Sequence, residues 1–348
     1  MAKPMELDDI EVHFTQTSGV VAEVKNALWG SGKKVRAVDG VDLTLDENEV
    51  QGVIGESGCG KTTLLETMVG LQNLTDGTVY FEGEPLSEFA RAKRRQFHKE
   101  VQMIFQDPFN SLDPKYTVSE TLGEQLRIHG LDDTEERKLE MLQRVELTPP
   151  ERYIDQYPEQ LSGGERQRVS VARALIVNPE IILADEPVSM LDVSTQASIL
   201  RLLSDIVSEE EIALTYISHD ISTVSQICDR INVMYLGRII ERGPTAEVLD
   251  SPKHPYTQSL IQAVPLPDPY HQRERVKLEG DIPDPLNAPD GCRFKDRCSE
   301  RMPICDETPL ACEIDGNREV ACHLYYDHEA VVGNADSANE DAPTATLK

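Results

Sequence analysis

The sequence predicts an α/β fold in which a buried parallel sheet carries a phosphate-binding site at its carboxyl edge. Three stretches predict it. Gly55-Glu56-Ser57-Gly58-Cys59-Gly60-Lys61-Thr62 sits between the apolar run Val50 to Ile54 and a helical stretch from Thr62 to Val69. The run Ile181 to Ala184 ends in Asp185-Glu186, and the run Ile212 to Ile217 leads into Ser218-His219-Asp220. Short apolar runs that end in polar turns are the pattern of strands covered on both faces.

The first stretch has the Gly-x4-Gly-Lys-[Ser/Thr] spacing of a phosphate loop. Its glycines let the backbone curl so that N–H groups and the following helix N-terminus point at phosphates. Lys61 is assigned to the β/γ-phosphates, Thr62 to Mg²⁺ and Thr63 to a supporting phosphate contact. A ligand-free glycine turn is the bland alternative, and strand, motif and helix in one register argue against it. The chain is therefore expected to bind ATP with Mg²⁺.

Asp185 is expected in the Mg²⁺ shell, and Glu186 is placed to polarise the attacking water, because phosphoryl transfer needs positioning and charge more than covalent chemistry. An acidic strand end is by itself weak evidence, since most are merely solvated. His219 follows a strand at the same edge and is assigned to the γ-phosphate. Gln106 follows the run Val101 to Phe105 just before Asp107-Pro108, a strand-to-loop break where an amide reaches both Mg²⁺ and the water. Glu186, His219 and Gln106 form the catalytic group, with Thr62, Gln106 and Asp185 around the metal.

Leu161-Ser162-Gly163-Gly164-Glu165 opens the helical stretch Arg166 to Val177. Ser162 is an N-cap, and the two glycines leave bare N–H groups at the positive end of the helix dipole. This is a second anion clamp on a chain that already has a phosphate cradle. It makes sense if it closes on the nucleotide of another copy.

At 348 residues the chain is long enough for one large core and an appendage. No apolar run approaches the ~20 residues that span a bilayer, and Met1 to Asp9 is polar and acidic rather than a signal peptide. Direct membrane insertion is not expected. Sixty-two acidic against 34 basic residues give a net charge of −28, which disfavours nucleic acid as a partner. The acid excess is spread along the chain, as expected of a protein adapted to a high-salt cytosol where ions screen the repulsion, with an acidic mesophile protein as the alternative. Arg91 to Lys99 is a local basic stretch, read as a solvated helix face. Val118 to Ile128 and Thr134 to Leu147 carry helical signals, with Pro149-Pro150 as a break. From Asp327 the composition is that of a disordered tail.

Five of the seven cysteines, Cys292, Cys298, Cys305, Cys312 and Cys322, crowd into a short segment with little apolar content. In a chain expected to be cytosolic that favours metal over disulfides, but spacings of five and six residues do not choose the metal. Cys59 and Cys228 are expected to be reduced thiols, with Cys59 a candidate for redox sensitivity by its place in the loop.

Taken in order, the phosphate loop, Gln106, Leu161 to Glu165, Asp185-Glu186, Ser189-Met190-Leu191-Asp192 and His219 resemble the nucleotide-binding subunits of ABC transporters over roughly residues 6 to 325. The resemblance implies an antiparallel β subdomain, a helical subdomain near 107–160, an ATP-binding domain over 1–260, a Cys-rich region over 261–326 and a tail over 327–348. It also implies that Ser162, Gly163, Gly164 and Glu165 contact ATP across a head-to-tail dimer and that Asp192 couples the two sites. Phe14 is the expected adenine platform, with Trp29 the alternative. Glu165 and Met190 stand where many members have Gln and Ala, and neither change removes a catalytic group.

Asp107 to Pro114, His254-Pro255-Tyr256-Thr257 and Ala263 to Pro269 are similar to the oligopeptide/dipeptide importer branch, in its second ATPase paralogue. Expected partners are then a paralogous ATPase subunit, two membrane permease subunits and an extracellular solute-binding protein, with this chain at the cytoplasmic face of the membrane. Oligosaccharide or nickel import is the alternative, because solute choice lies in other subunits. A soluble ABC protein acting on ribosomes or DNA fits less well, since one cassette is present and no coiled coil interrupts Lys61 to Leu161. A vestigial ATPase that serves as an iron–sulfur sensor conflicts with Lys61, Asp185 and Glu186. Gly291-Cys292-Arg293-Phe294, Arg297-Cys298, Cys305 and Ala321-Cys322-His323-Leu324 resemble a C-terminal motif in which four cysteines can hold a [4Fe-4S] cluster, with structural zinc and unmetallated thiols as the alternatives and Cys312 as the spare.

Overall fold

The computed structural model describes residues 5–15, 34–107, 111–263, 286 and 288–325. Trp29, positions 108–110, positions 264–285 and the tail from Asp327 lie outside the described residues.

Two sheets share the molecule. The first holds β1 (Met5–Thr15), β2 (Lys34–Leu45), β4 (Asp76–Phe81) and β5 (Glu84–Pro85) in the antiparallel order β2-β1-β4-β5. Along β2, Val41, Leu43 and Leu45 are buried while their neighbours are exposed, the period-two pattern of a sheet with one dry face.

The second sheet has eight strands. β3 (Val50–Ile54), β6 (Val101–Ile104), β7 (Ile181–Asp185), β8 (Ala213–Ser218) and β9 (Arg230–Tyr235) are parallel, in the order β9-β3-β8-β7-β6. Every residue of β3, β7 and β8 is buried, as the continuous apolar runs require. Each fully buried Ile or Leu contributes roughly 1.5–3 kcal/mol. The ladders end in step: Ile54 pairs with Ser218, Asp185 with Ile217, and Ile104 with Ala184. The segments leaving these four strands therefore emerge side by side at one edge.

Helices cover this sheet. α1 (Lys61–Met68) follows the phosphate loop, and α2 (Arg91–Glu100) buries only Phe97, so the basic stretch is a solvated face. α3 (Val118–His129) starts with a capping box between Thr117 and Glu120 and ends at Gly130 in the left-handed region. α4 (Glu135–Arg144) is shorter than the expected 134–147. Thr134 caps it instead of entering it, and Glu146 takes φ +61° just beyond. α5 (Gly163–Leu175) begins three residues before the expected Arg166, because Ser162 and Glu165 cap each other reciprocally. α6 (Val193–Glu209), α7 (Ile221–Ile227), α8 (Thr245–Asp250) and α9 (Pro255–Gln262) complete the core.

The cysteine segment departs from the appendage expected of it. β11 (Ala311–Ile314) and β12 (Arg318–Ala321) form a hairpin, and β12 pairs with β10 (Arg238–Pro244), extending the main sheet to the order β11-β12-β10-β9. Arg318 and Glu241 form a buried ion pair at 3.0 Å across that junction. Cys292, Phe294 and Cys305 join the main core, and Cys312, Ile314, Val320 and Cys322 make a small core of their own. The segment has little apolar content, and it adds only this small core to the surface it borrows from the main one.

Candidate functional site

The loop after β3 needs glycine at its end. Gly60 takes φ +109°, and a Cβ there would lie 1.9 Å from the Ala37 carbonyl oxygen. Lys61 is 6% exposed and donates from Nζ to the carbonyls of Gly55 at 2.8 Å and Glu56 at 3.0 Å. A primary ammonium held on backbone carbonyls is ready to turn toward phosphate oxygens, which are stronger partners. Cys59 lies within this turn, buried at 3% exposure. Burial pushes its thiol upward despite the Lys61 charge, the opposite of a redox-sensitive thiolate.

Asp185 ends β7 beside this loop. Burial raises its pKa, the Thr62 hydroxyl bonds it and opposes the rise, and the Glu186 charge adds to the rise. Its Oδ1 is buried with no hydrogen-bond partner among the described residues. An orphaned carboxylate oxygen next to a hydroxyl is what a hard divalent cation satisfies, so Thr62 and Asp185 fit Mg²⁺. When bound with ATP, the ion would neutralise charge on the transferring phosphate.

Glu186 takes φ +42°, a left-handed conformation that is strained for a side chain of this kind, at a cost of roughly 1–3 kcal/mol. Its backbone N–H is anchored on the Ile217 carbonyl of β8 at 3.0 Å. In that pose Oε2 lies 3.0 Å from Gln106 Nε2 and 3.0 Å from His219 Nδ1. Three residues read separately, each at the end of a different parallel strand, thus meet at one oxygen. A carboxylate flanked by an amide and an imidazole can orient and polarise a water.

These groups line one cleft of about 560 Å³, together with Ser57, Gly58, Cys59, Gly60, Lys61, Thr62, Thr63, Ala37 and Phe14. Phe14 is 42% exposed at the end of β1, so an aromatic face is available at the cleft wall, suited to stacking on a base. Ser162, Gly163, Gly164 and Glu165 do not line it. Ser162 and Gly163 are exposed, with the Ser162 hydroxyl accepting from Glu165 N at 3.3 Å and Glu165 Oε2 accepting from Ser162 N at 2.7 Å. The carboxylate at position 165 thus does the capping an amide would do. Gly164 packs on the start of α6, where a Cβ would come within 2.6 Å of Thr195 Cγ2. Asp192 caps α6 and accepts from Ser194 N and Thr195 N, both at 3.1 Å.

Burial pushes the Cys292 thiol up to about 11 and Cys322 up to about 12, and it raises Cys298 as well. The Cys322 shift includes repulsion from Cys292, Cys298 and Cys305, whereas the Cys312 shift includes Glu319 and no cysteine. The four thiols therefore share one neighbourhood, and Cys312 packs with Cys322 in the small core of the hairpin.

Several residues around the phosphate loop carry no role in the sequence reading. Tyr256 of α9 accepts from Glu56 N at 2.9 Å through its hydroxyl. Arg297 forms an ion pair with the Glu56 carboxylate at 2.9 Å. Asp39, in β2, receives Arg293, Arg238 at 2.8 Å and His13 at 2.9 Å. Burial works against its ionisation, but the Arg293 and Arg238 charges hold the carboxyl below the usual range. The available signal was the set of motifs around Tyr256, Arg293 and Arg297, which marked these residues without saying what they touch.

Two family models match the chain: "ABC transporter" over residues 38–189 and "Oligopeptide/dipeptide transporter, C-terminal region" over residues 240–305. The putative oligopeptide transport ATP-binding protein YkfD of Bacillus subtilis is 44% identical over 332 residues, 93% of this chain and 96% of that protein. The oligopeptide transport ATP-binding protein OppF of Salmonella typhimurium is 42% identical, covering 91% of this chain and 95% of its own. Among solved structures, the ATP-binding cassette MJ0796, a dimer in a post-hydrolysis state bound to ADP and Pi, superposes with a TM-score of 0.59 at 26% identity, over 69% of this chain and 98% of that one.

Proposed function

The chain belongs to the ABC transporter ATPases, in the group that carries the oligopeptide/dipeptide transporter C-terminal region, and from that premise we propose that it hydrolyses ATP to drive peptide uptake through membrane permease subunits. The observation that carries the reading is the meeting of Gln106 and His219 on the Glu186 carboxylate, beside the phosphate loop, in one cleft. Relatives named for oligopeptide and dipeptide transport favour peptides over oligosaccharides or nickel. As in ABC importers generally, the chain works at the cytoplasmic face of the membrane, and no described helix is long and apolar enough to cross it. A solute-binding protein delivers the peptide from outside.

The clamp at Ser162 to Glu165 is exposed and outside its own cleft, which supports its use on the nucleotide of a second ATPase subunit. MJ0796 is itself dimeric in its solved state. The partner here is the paralogous ATPase, giving a heterodimer with Asp192 beside the shared surface. ATP closes the pair, hydrolysis reopens it, and the helices between residues 111 and 160 pass the motion to the permease. Ser162→Arg tests this. It should leave ATP binding to the isolated subunit within about twofold while lowering hydrolysis by the assembled pair about a hundredfold or more. Equal loss of binding by the isolated subunit would mean that the clamp works within one chain.

Cys292, Cys298, Cys305 and Cys322 are the residues that would hold a [4Fe-4S] cluster. The shifts of Cys322 and Cys292 register other thiols of the set, and a four-iron cube takes one thiolate per corner iron. Anaerobically purified protein should be brown, with about four iron and four sulfide per chain, and Cys→Ser at any of the four should bleach it while Cys312→Ser should not. Colourless protein with one zinc per chain would reject the cluster.

A further inference from the structure

Glu56 is the second residue of the phosphate loop, and Arg297 lies 241 positions further on, one residue before Cys298. Their side chains meet as a planar fork: Arg297 Nη1 donates to Glu56 Oε2 at 2.9 Å and Nη2 to Oε1 at 3.1 Å. Two parallel charge-assisted bonds fix direction as well as distance, which a single lysine contact would not. The Arg297 side chain is 5% exposed and that of Glu56 20%.

The guanidinium is itself held in place. Nη1 also donates to the Tyr235 hydroxyl at 3.2 Å, and the group lies 5.8 Å from the Tyr235 ring centre and 5.9 Å from that of Phe294. Tyr235, Tyr256 and Phe294 pack on one another with centroids 4.6 to 5.6 Å apart. Tyr256 in turn accepts from the Glu56 backbone N–H at 2.9 Å. Glu56 is therefore gripped at its carboxylate by the cysteine segment and at its amide by α9.

The Glu56 carbonyl accepts from the Cys59 N–H at 3.3 Å and from the Lys61 ammonium at 3.0 Å. Lys61 is the group assigned to the phosphates, so that contact is exchanged when nucleotide binds. The grips from Arg297 and Tyr256 do not involve Lys61.

We propose that Arg297 is a positioning residue for the phosphate loop, through which the cysteine segment sets the affinity of the site for Mg·ATP. The proposal rests on the ATPase reading given above. Arg297 does not line the cleft, so its effect passes through Glu56. The shape of the empty cradle decides how well phosphates fit, whereas Glu186, Gln106 and His219, which come from other strands, decide turnover. Loss of the fork should therefore fall on KM and Kd rather than on kcat.

The test compares wild type, Arg297→Ala, Arg297→Lys and Glu56→Gln for Mg·ATP binding by fluorescence titration, for KM and kcat of the assembled ATPase pair, and for melting temperature without nucleotide. Arg297→Ala should weaken Mg·ATP binding about tenfold, a shift of about 1.4 kcal/mol, and raise KM to match while kcat stays within about twofold. Arg297→Lys keeps the charge but not the fork and should fall between it and wild type; Glu56→Gln keeps the size and should resemble Arg297→Ala. A purely structural ion pair would lower the melting temperature of all three and leave Kd and KM unchanged, which would overturn the proposal. Wild-type protein that bound no Mg·ATP would instead overturn the ATPase reading on which it stands.

Discussion

Lys61→Ala protein should bind Mg·ATP ten- to more than a hundredfold more weakly than wild type and show no measurable hydrolysis. A hydrogen bond to a charged group is worth about 1.5–3 kcal/mol, and Lys61 supplies the only buried ammonium found in the cleft among the described residues. The substitution also leaves the Gly55 and Glu56 carbonyls without the donor they share. Water entering the emptied cleft replaces that donor cheaply, so the melting temperature should move little. Titration with a fluorescent ATP analogue measures the loss. An unchanged affinity would show that the loop does not cradle phosphates.

Glu186→Gln should bind Mg·ATP like wild type and hydrolyse it about 10²–10⁴ times more slowly, the range for removing a general base. Glutamine has the size of glutamate and can still bond His219 Nδ1 and Gln106 Nε2 through its oxygen, so the cluster keeps its geometry. What it loses is the charge that polarises a water. Single-turnover phosphate release separates this loss from a binding defect. Hydrolysis at the wild-type rate would remove Glu186 from the mechanism and leave His219 as the next candidate.

The features legible in the sequence were those carried by neighbours in the chain. An apolar run ending in Asp185-Glu186 is a local pattern, and so is an N-cap serine such as Ser162; both appear in the structure where the pattern puts them. The α4 boundaries were less legible because Thr134 can either cap or enter a helix, and tertiary context settles which. Strand order was not legible at all: nothing between Val50 and Arg230 says that β3 lies between β8 and β9. The largest omission was the cysteine segment. Its composition indicates a separate appendage, but β12 pairs with β10, and Arg293 and Arg297 reach Asp39 and Glu56. Buried arginines make no periodic pattern, and an ion pair between residues 241 positions apart leaves no trace in either local segment.

The proposal that two ATPase subunits share each nucleotide is supported by the exposed Ser162 clamp and the separate phosphate cleft. Light scattering on Glu186→Gln protein, mixed with its partner ATPase subunit, measures that sharing most directly, because ATP persists unhydrolysed. The mass should equal two subunits in Mg·ATP and revert to single subunits in ADP. Single subunits under both conditions, in a mixture whose wild-type counterpart hydrolyses ATP, would contradict a shared site.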